Sequence, residues 1–198
     1  MKNIKYIGLG LAVVLSLGFS GCGESSSDSS PVSGTTTYDI WDYIASSQTI
    51  TKSFDLYPTD STFTPNGSVT IDAGKLVETV QLATLVKIDE YSNNSLTGSD
   101  TLSLLDTTIA VEGGNTLPRF VQVGQSAGGS CTLTNHFDSY TPYIGYTYSD
   151  VIELDCGDWS MFYSKNIGKV VGQNKSSFTI GDTTTITYSI GIYNPNNP

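Results

Sequence analysis

The chain has 198 residues, of which 9 are Lys or Arg and 19 are Asp or Glu, so its formal net charge is −10. A field of this sign repels phosphate backbones and anionic head groups, which argues against nucleic acid as a partner. The length accommodates one domain of ordinary size together with short terminal segments.

Residues 1–21 have the anatomy of a signal peptide. Lys2 and Lys5 form a positively charged N-terminal region, and an apolar stretch of 13 residues runs from Ile7 to Phe19. Because a membrane-spanning helix needs about 20 apolar residues, the shorter stretch predicts an export signal. Its removal leaves 7 basic against 19 acidic residues, which is a mature net charge of −12.

The signal ends in Phe19-Ser20-Gly21-Cys22, which resembles the lipobox of bacterial lipoproteins. The resemblance implies a diacylglycerol on the Cys22 thiol and, in many bacteria, a further palmitate-type chain on its amine. Two or more acyl chains hold a protein stably on a membrane. Gly23 in place of Asp resembles the sorting pattern for the outer membrane, so we expect a lipid-anchored protein of the cell envelope.

Residues 22–37 form a predicted tether, and residues 38–198 a single β-rich domain. From Gly23 to Thr37 the chain is mostly Ser, Thr and Gly, and Val32 is the only bulky apolar residue. Such a segment is too polar to pack into a core. The tether would therefore hold the domain away from the lipid.

The domain is predicted to be all-β and mainly antiparallel. It is rich in Thr, Ser, Val, Ile and Tyr, with turn residues about every 8 to 12 positions, and no helix is long enough for a parallel crossover. A barrel-like sheet and a sandwich both fit this pattern. Ile40, Tyr43 and Ile44 share a helical face, so one short N-terminal helix capped by Thr37 is predicted.

Local patterns place individual strands. Asn66-Gly67 predicts a tight hairpin turn between 62–64 and 68–71. Residues 79–89 alternate between apolar and polar and predict a half-buried strand, although 76–88 also fits an amphipathic helix. Further strands are predicted at 107–111, 119–123, 131–137, 150–154, 160–164 and 183–192.

Cys131 and Cys156 remain once Cys22 is committed to lipid. An exported chain folds in an oxidising compartment, so an even pair of cysteines predicts a disulfide. Such a bond would close a loop of about 25 residues and stabilise the fold by about 3 to 4 kcal/mol on the chain-entropy model.

Two neighbouring segments resemble a strand pattern of bacterial envelope lipoproteins of uncharacterised function. These are Tyr148-Ser149-Asp150-Val151-Ile152-Glu153 and Met161-Phe162-Tyr163-Ser164-Lys165-Asn166-Ile167-Gly168-Lys169-Val170. Ser164 and Asn166 stand where that family usually has Ala and Gly. The resemblance implies a β-rich, barrel-like extracytoplasmic fold and no activity. Read by itself, Gly168 predicts a bulge or a close backbone approach.

One motif has the spacing of catalytic chemistry. Gly124-Gln125-Ser126-Ala127-Gly128 fits the nucleophile elbow of serine hydrolases, which leads into a helix. Here it leads into a poor helix start, and the single histidine, His136, follows 10 residues after Ser126 with no acid between them. A serine hydrolase is therefore the third hypothesis, and no enzyme activity, catalytic residue or cofactor is expected.

Metal chemistry has few candidate ligands. One histidine is too few for a zinc site. Asp150, Asp155 and Asp158 are close in sequence but lack the regular spacing of a calcium loop, so a solvated acidic edge is the preferred interpretation. No metal is expected.

Aromatic residues are concentrated between Tyr140 and Trp159, where Tyr143, Tyr146 and Tyr148 also lie. Exposed aromatic faces bind sugars or proteins, although cross-strand pairing is the commoner use of such residues.

The leading hypothesis is therefore a membrane-anchored, non-enzymatic envelope lipoprotein that binds or supports another envelope component. The alternative is a tethered glycan-binding β-module that uses the segment from Tyr140 to Trp159. An envelope protein or a glycan is the expected partner, and the sequence assigns no ligand-binding residues.

Overall fold

A computed structural model describes residues 36–65, 74–92, 94–142, 146–180 and 182–195. The predicted signal peptide, Cys22, nearly all of the predicted tether, the Asn66-Gly67 turn with the strand after it, and Tyr143 lie outside the described residues.

The described chain is nearly all antiparallel β-structure with one short helix, which confirms the predicted fold class. Its elements in chain order are β1 (Thr37–Asp39), α1 (Trp41–Ile44), β2 (Ile50–Thr59), β3 (Lys75–Leu82), β4 (Leu85–Ser92), β5 (Ser95–Leu104), β6 (Thr108–Val111), β7 (Asn115–Pro118), β8 (Phe120–Gln122), β9 (Ser126–Gly128), β10 (Cys131–Tyr140), β11 (Tyr148–Asp155), β12 (Trp159–Ser164), β13 (Gly168–Ile180) and β14 (Thr183–Tyr193).

Twelve strands form one nearly closed, barrel-like sheet in the order β7-β6-β5-β4-β3-β2-β14-β13-β12-β11-β10-β9. Each neighbour in this order is antiparallel, and most are joined by short turns. β2 and β14 pair in the middle of this order, although they are the first and last strands of the sheet along the chain. β1 and β8 form a separate two-stranded sheet.

The two edge strands, β7 and β9, meet through side chains. Among the described residues no backbone pairing joins them. Leu117 of β7 lies against Gly128 of β9, with its Cδ2 atom 2.6 Å from the position of an added Cβ. Pro118 has no N–H to donate, which suits an edge strand. We call this β7–β9 junction the seam.

α1 confirms the predicted short helix, and Ile40, Tyr43 and Ile44 are all buried against the sheet interior. The predicted Thr37 cap is wrong. Thr37 lies in β1, where it pairs with Gln122, and the residue before the helix is Ile40, without a side-chain cap. Within the described ranges, no helix has the length and apolar character needed to cross a membrane.

β3 and β4 resolve the ambiguity over residues 76–88 in favour of strand. They form a hairpin through Ala83 and Thr84, so the predicted single strand is two strands and the helical alternative is wrong. The segment predicted as a strand at 62–64 is instead a turn, in which Asp60 Oδ1 accepts the N–H groups of Thr62 and Thr64.

The remaining strand predictions each coincide with an observed strand, namely β6, β8, β10, β11, β12 and β14. Val151, Ile152 and Leu154 of β11 lie in the core, as their apolar pattern predicts. Val151 and Ile152 are neighbours on the strand and point to opposite faces, so β11 is covered on both faces: Ile152 and Leu154 belong to one buried cluster and Val151 to another.

Candidate functional site

The structure brings Cys131 and Cys156, which are 25 positions apart in sequence, to disulfide distance, with their Cα atoms 4.0 Å apart. Cys131 begins β10, and Cys156 follows the last residue of β11. The pair therefore ties the end of β11 to the strand that adjoins β9 and the seam.

The residues of the hydrolase motif do not come together with the histidine. Ser126 lies opposite Thr132 in the β9–β10 pairing, and its Oγ atom accepts the N–H of Gly128 at 3.3 Å. His136 lies four residues further along β10, which is about 13 Å of strand. Gly124 and Gly128 have positive φ angles, so the motif forms a glycine-dependent turn and a short strand.

The three candidate calcium ligands also point to separate places. Asp150 contacts Tyr43 and His136, and it is about 17 Å of strand from Asp155. Asp158 lies 3.7 Å from the ammonium group of Lys175. In the part of the chain that the structure describes, no group of three or more His, Cys, Asp or Glu side chains is arranged to hold a metal ion.

The aromatic segment does not form one face. Tyr148 is buried and donates to the carbonyl of Tyr193, while Tyr140 stacks on Phe162 with ring centroids 4.5 Å apart. Burial raises the pKa of Tyr140 to about 12. Trp159 begins β12 beside the opposite end of β11, about 23 Å of strand from Tyr148.

The interior contains charged residues that the sequence patterns had not indicated as candidate site residues. Lys52 of β2 and Glu78 of β3 are 0% and 1% exposed and form an ion pair. The Lys52 ammonium also donates to the carbonyls of Ile167 at 2.6 Å and Lys169 at 3.3 Å. The second oxygen of Glu78 accepts the N–H of Ser46 at 2.8 Å. Burial lowers the pKa of Lys52, and Glu78 opposes that effect.

Gly168 stands against this ion pair. Its φ angle is +83°, and an added Cβ would lie 2.6 Å from Glu78 Oε1 and 2.8 Å from Lys52 Nζ. The adjacent β12–β13 pairing shifts register between Phe162 and Tyr163. Gly168 therefore permits the close backbone approach that the sequence predicts for it.

Lys169 is a second buried lysine. It lies directly opposite Tyr163 in the β12–β13 pairing, so both side chains share the inner face of the sheet. Burial lowers the pKa of the Lys169 amine to about 8, with the charge of Lys52 acting in the same direction and that of Glu90 opposing it. Burial likewise raises the pKa of the Tyr163 hydroxyl.

Lys169 lines a cavity of about 70 Å³ in the interior of the sheet. Most of the wall is apolar and comes from α1 and from strands on opposite sides of the sheet: Ile44, Leu76, Ile88, Leu102, Leu117, Ala127, Leu154 and Met161. Four further side chains add polar atoms: Glu78, Asp100, Tyr163 and Lys169. Burial and the nearby Glu112 raise the pKa of the Asp100 carboxyl.

The cavity adjoins the seam. Leu117 of β7 lines it from one side of the seam, and Ala127 and Gly128 of β9 line it from the other. Cys131 contributes to the same wall. Side-chain packing, and no backbone ladder among the described residues, therefore closes this side of the cavity.

A second, open cleft of about 510 Å³ lies where β1 and α1 meet β10 and β11. Asp150 Oδ1 is 2.6 Å from the Tyr43 hydroxyl and 2.8 Å from His136 Nε2, and Tyr38 stacks on the His136 ring. Burial acts to raise the pKa of Asp150, but these two hydrogen bonds and Lys165 hold it below its usual value. The contacts explain how β1 and α1 are held to the sheet, so the interior cavity is the stronger candidate for a ligand site.

A signal for the buried charges was present in the sequence. Along β2, Lys52 stands between Ile50 and Phe54 at a spacing of two, and along β3, Glu78 stands between Leu76 and Val80. Side chains two apart on a strand share a face, so each charge is directed to the apolar side.

The fold and cavity define an antiparallel, barrel-like β-domain with an apolar interior site that contains a buried lysine. No protein-family model matches the chain, and no curated protein or solved structure shows a significant match to it.

Proposed function

We propose that this protein is a lipid-anchored, non-enzymatic envelope lipoprotein that binds another envelope component, and that this component is a small molecule held in the interior cavity. The observation that supports the proposal is the cavity, because it is apolar on most sides and has a few converging polar groups. This combination is typical of small-molecule sites.

The charge of Lys169 supports a ligand with both apolar and polar parts. Fully buried lysines are rare in proteins, and strongly perturbed titratable groups in a cavity are frequent at functional sites. An apolar part of the ligand would contact Leu102 and Leu117, and a polar oxygen would face the Lys169 amine.

The cavity volume limits what can enter. A cavity of about 150 Å³ accommodates benzene, so 70 Å³ accommodates a smaller molecule or the end of a longer one. Entry through the seam would allow a longer ligand to leave its remainder outside.

The test is to purify the full chain from its native membranes, denature it, and identify the released small molecules by mass spectrometry. We expect a compound that is retained by the wild type and lost from Ala127→Leu, since Ala127 is buried at the cavity wall and the larger side chain fills the space. Ala83→Leu is the matched control because Ala83 is exposed in the β3–β4 turn. Equal recovery from both variants would contradict the proposal.

The anchor is tested separately. Cys22→Ser removes the thiol that would carry the diacylglycerol, so we expect an uncleaved precursor without lipid. Intact-mass spectrometry of the membrane fraction measures both properties, and normal cleavage of the variant would refute the lipoprotein assignment.

A further inference from the structure

We propose that Lys169 is a covalent attachment point, whose amine condenses with the carbonyl carbon of a small aldehyde held in the cavity. The inference rests on the proposed function and names the class of ligand for the same site.

The two buried lysines differ in what surrounds them. The Lys52 ammonium donates to Glu78 and to two backbone carbonyls, so its three N–H groups already have acceptors within the fold. Lys169 has the charge of Glu90 near it and also lines the cavity, whose walls are largely apolar. Only Lys169 of the pair therefore faces a space that a second molecule can occupy.

The environment of Lys169 keeps part of its amine neutral near physiological pH. With a pKa of about 8, about one-tenth of the amine is unprotonated at pH 7, against less than about one-thousandth for a lysine of ordinary pKa. Desolvation of a lysine in an apolar pocket is an established way to make its amine a nucleophile.

The condensation is balanced without any further reagent. The neutral amine nitrogen bonds to the carbonyl carbon, the carbonyl electron pair moves to oxygen, and a proton passes from nitrogen to that oxygen. The carbinolamine then loses its hydroxyl group with one added proton as water, and the nitrogen gives up its remaining proton. The products are one imine and one water molecule.

Asp100 supplies a group that can carry these protons. It lines the same cavity, and burial together with Glu112 raises the pKa of its carboxyl, so it retains a proton at a higher pH than an exposed aspartate. A carboxyl group that can give and take protons in the same cavity can assist the departure of water.

The experiment uses the full chain in detergent with propanal, a probe smaller than benzene, and sodium cyanoborohydride, which reduces an imine to a stable amine. Peptide mass spectrometry then gives the labelling rate of every lysine at pH 7. We expect Lys169 to be labelled at least about tenfold faster than exposed Lys75 and Lys175, because of its larger neutral fraction. In denaturant this preference should vanish.

Three variants test whether labelling of Lys169 depends on the cavity and on Asp100. Ala127→Leu should reduce labelling of Lys169 to the rate of the surface lysines, whereas Ala83→Leu should leave it unchanged. Asp100→Asn should slow labelling, since it removes a carboxyl that can exchange protons in the cavity but keeps the side-chain shape.

The outcomes separate the two proposals. Labelling of surface lysines alone, with Lys169 unmodified, would overturn the covalent inference. If a small molecule nevertheless copurifies with the wild type and is lost from Ala127→Leu, the binding function stands without it. Uniform labelling of all lysines in the folded chain would also overturn the inference.

Discussion

Gly168 shows how one residue makes the buried ion pair possible. Any side chain there would need a positive φ angle and would also meet both Lys52 and Glu78. These two side chains are held by further hydrogen bonds, so they cannot move aside without leaving a buried charge unsatisfied. The glycine and the ion pair are therefore interdependent.

Gly168→Ala should lower the free energy of unfolding by about 3 kcal/mol or more, because left-handed backbone strain adds to overpacking. Gly157→Ala is the matched control. Gly157 has a similar φ of +88°, but nothing lies within 4 Å of its added Cβ, so it should lose only about 1 kcal/mol. Urea unfolding measures both, and equal losses would show that the ion pair does not restrict residue 168.

Lys169 predicts a pH dependence of stability. Its pKa is about 8 in the folded chain and 10.5 in the unfolded chain. Between these values the unfolded chain binds more protons, so stability increases with pH, by about 2 kcal/mol from pH 8 to pH 10. Tyr140, with a raised pKa of about 12, makes stability fall only above pH 10.

Denaturant titrations at successive pH values measure this increase. Lys169→Met should reduce the increase, since one titrating group is gone, while Lys52, whose pKa burial also lowers, remains. Lys175→Met should retain it, because Lys175 is exposed. A flat profile in the wild type would mean that the Lys169 amine is as well solvated in the folded chain as in the unfolded chain.

At the scale of elements, the strand pairs that hold the sheet together differ widely in their separation along the sequence. Most strands pair with a chain neighbour, whereas β2 and β14 come from opposite ends of the described domain. At the seam, Leu117 and Gly128 take the place of a backbone ladder between β7 and β9. The seam is thus a junction that side-chain packing holds, without backbone hydrogen bonds between β7 and β9 among the described residues.

The Cys131–Cys156 pair constrains the strands next to the seam. Replacing both cysteines with serine should lower the free energy of unfolding by about 3 to 4 kcal/mol, the value for a 25-residue loop on the chain-entropy model. Thermal unfolding of the double variant, compared with the wild type before and after reduction, measures the effect. A wild type that is insensitive to reductant would contradict a stabilising disulfide.

Local sequence patterns predicted where strands and the helix form better than they predicted which strands pair with each other. The strands from β10 to β12 and the short helix were predictable because alternation and helical spacing depend on neighbouring residues. The β2–β14 pairing was not predictable, because it joins segments that are far apart in sequence and no local pattern indicates it. The cavity was not predictable either, since its walls come from strands on opposite sides of the sheet. Lys52 and Glu78 could have been recognised from their apolar flanks.

At the scale of the whole molecule, the proposals join an anchor at Cys22 to an interior site beside Lys169. β1 begins at Thr37, the last residue of the predicted tether. β1 pairs with β8, which lies in the chain between the two strands of the seam. A tether that enters at β1 would therefore attach close to the proposed entrance of the cavity.

The most direct test of the central claim is a crystal structure of the full chain extracted from its native membranes. We expect electron density for a molecule other than water in the cavity between Ile44 and Lys169, and its absence in Ala127→Leu. A wild-type cavity that holds ordered water alone would contradict the claim that this interior is a ligand site.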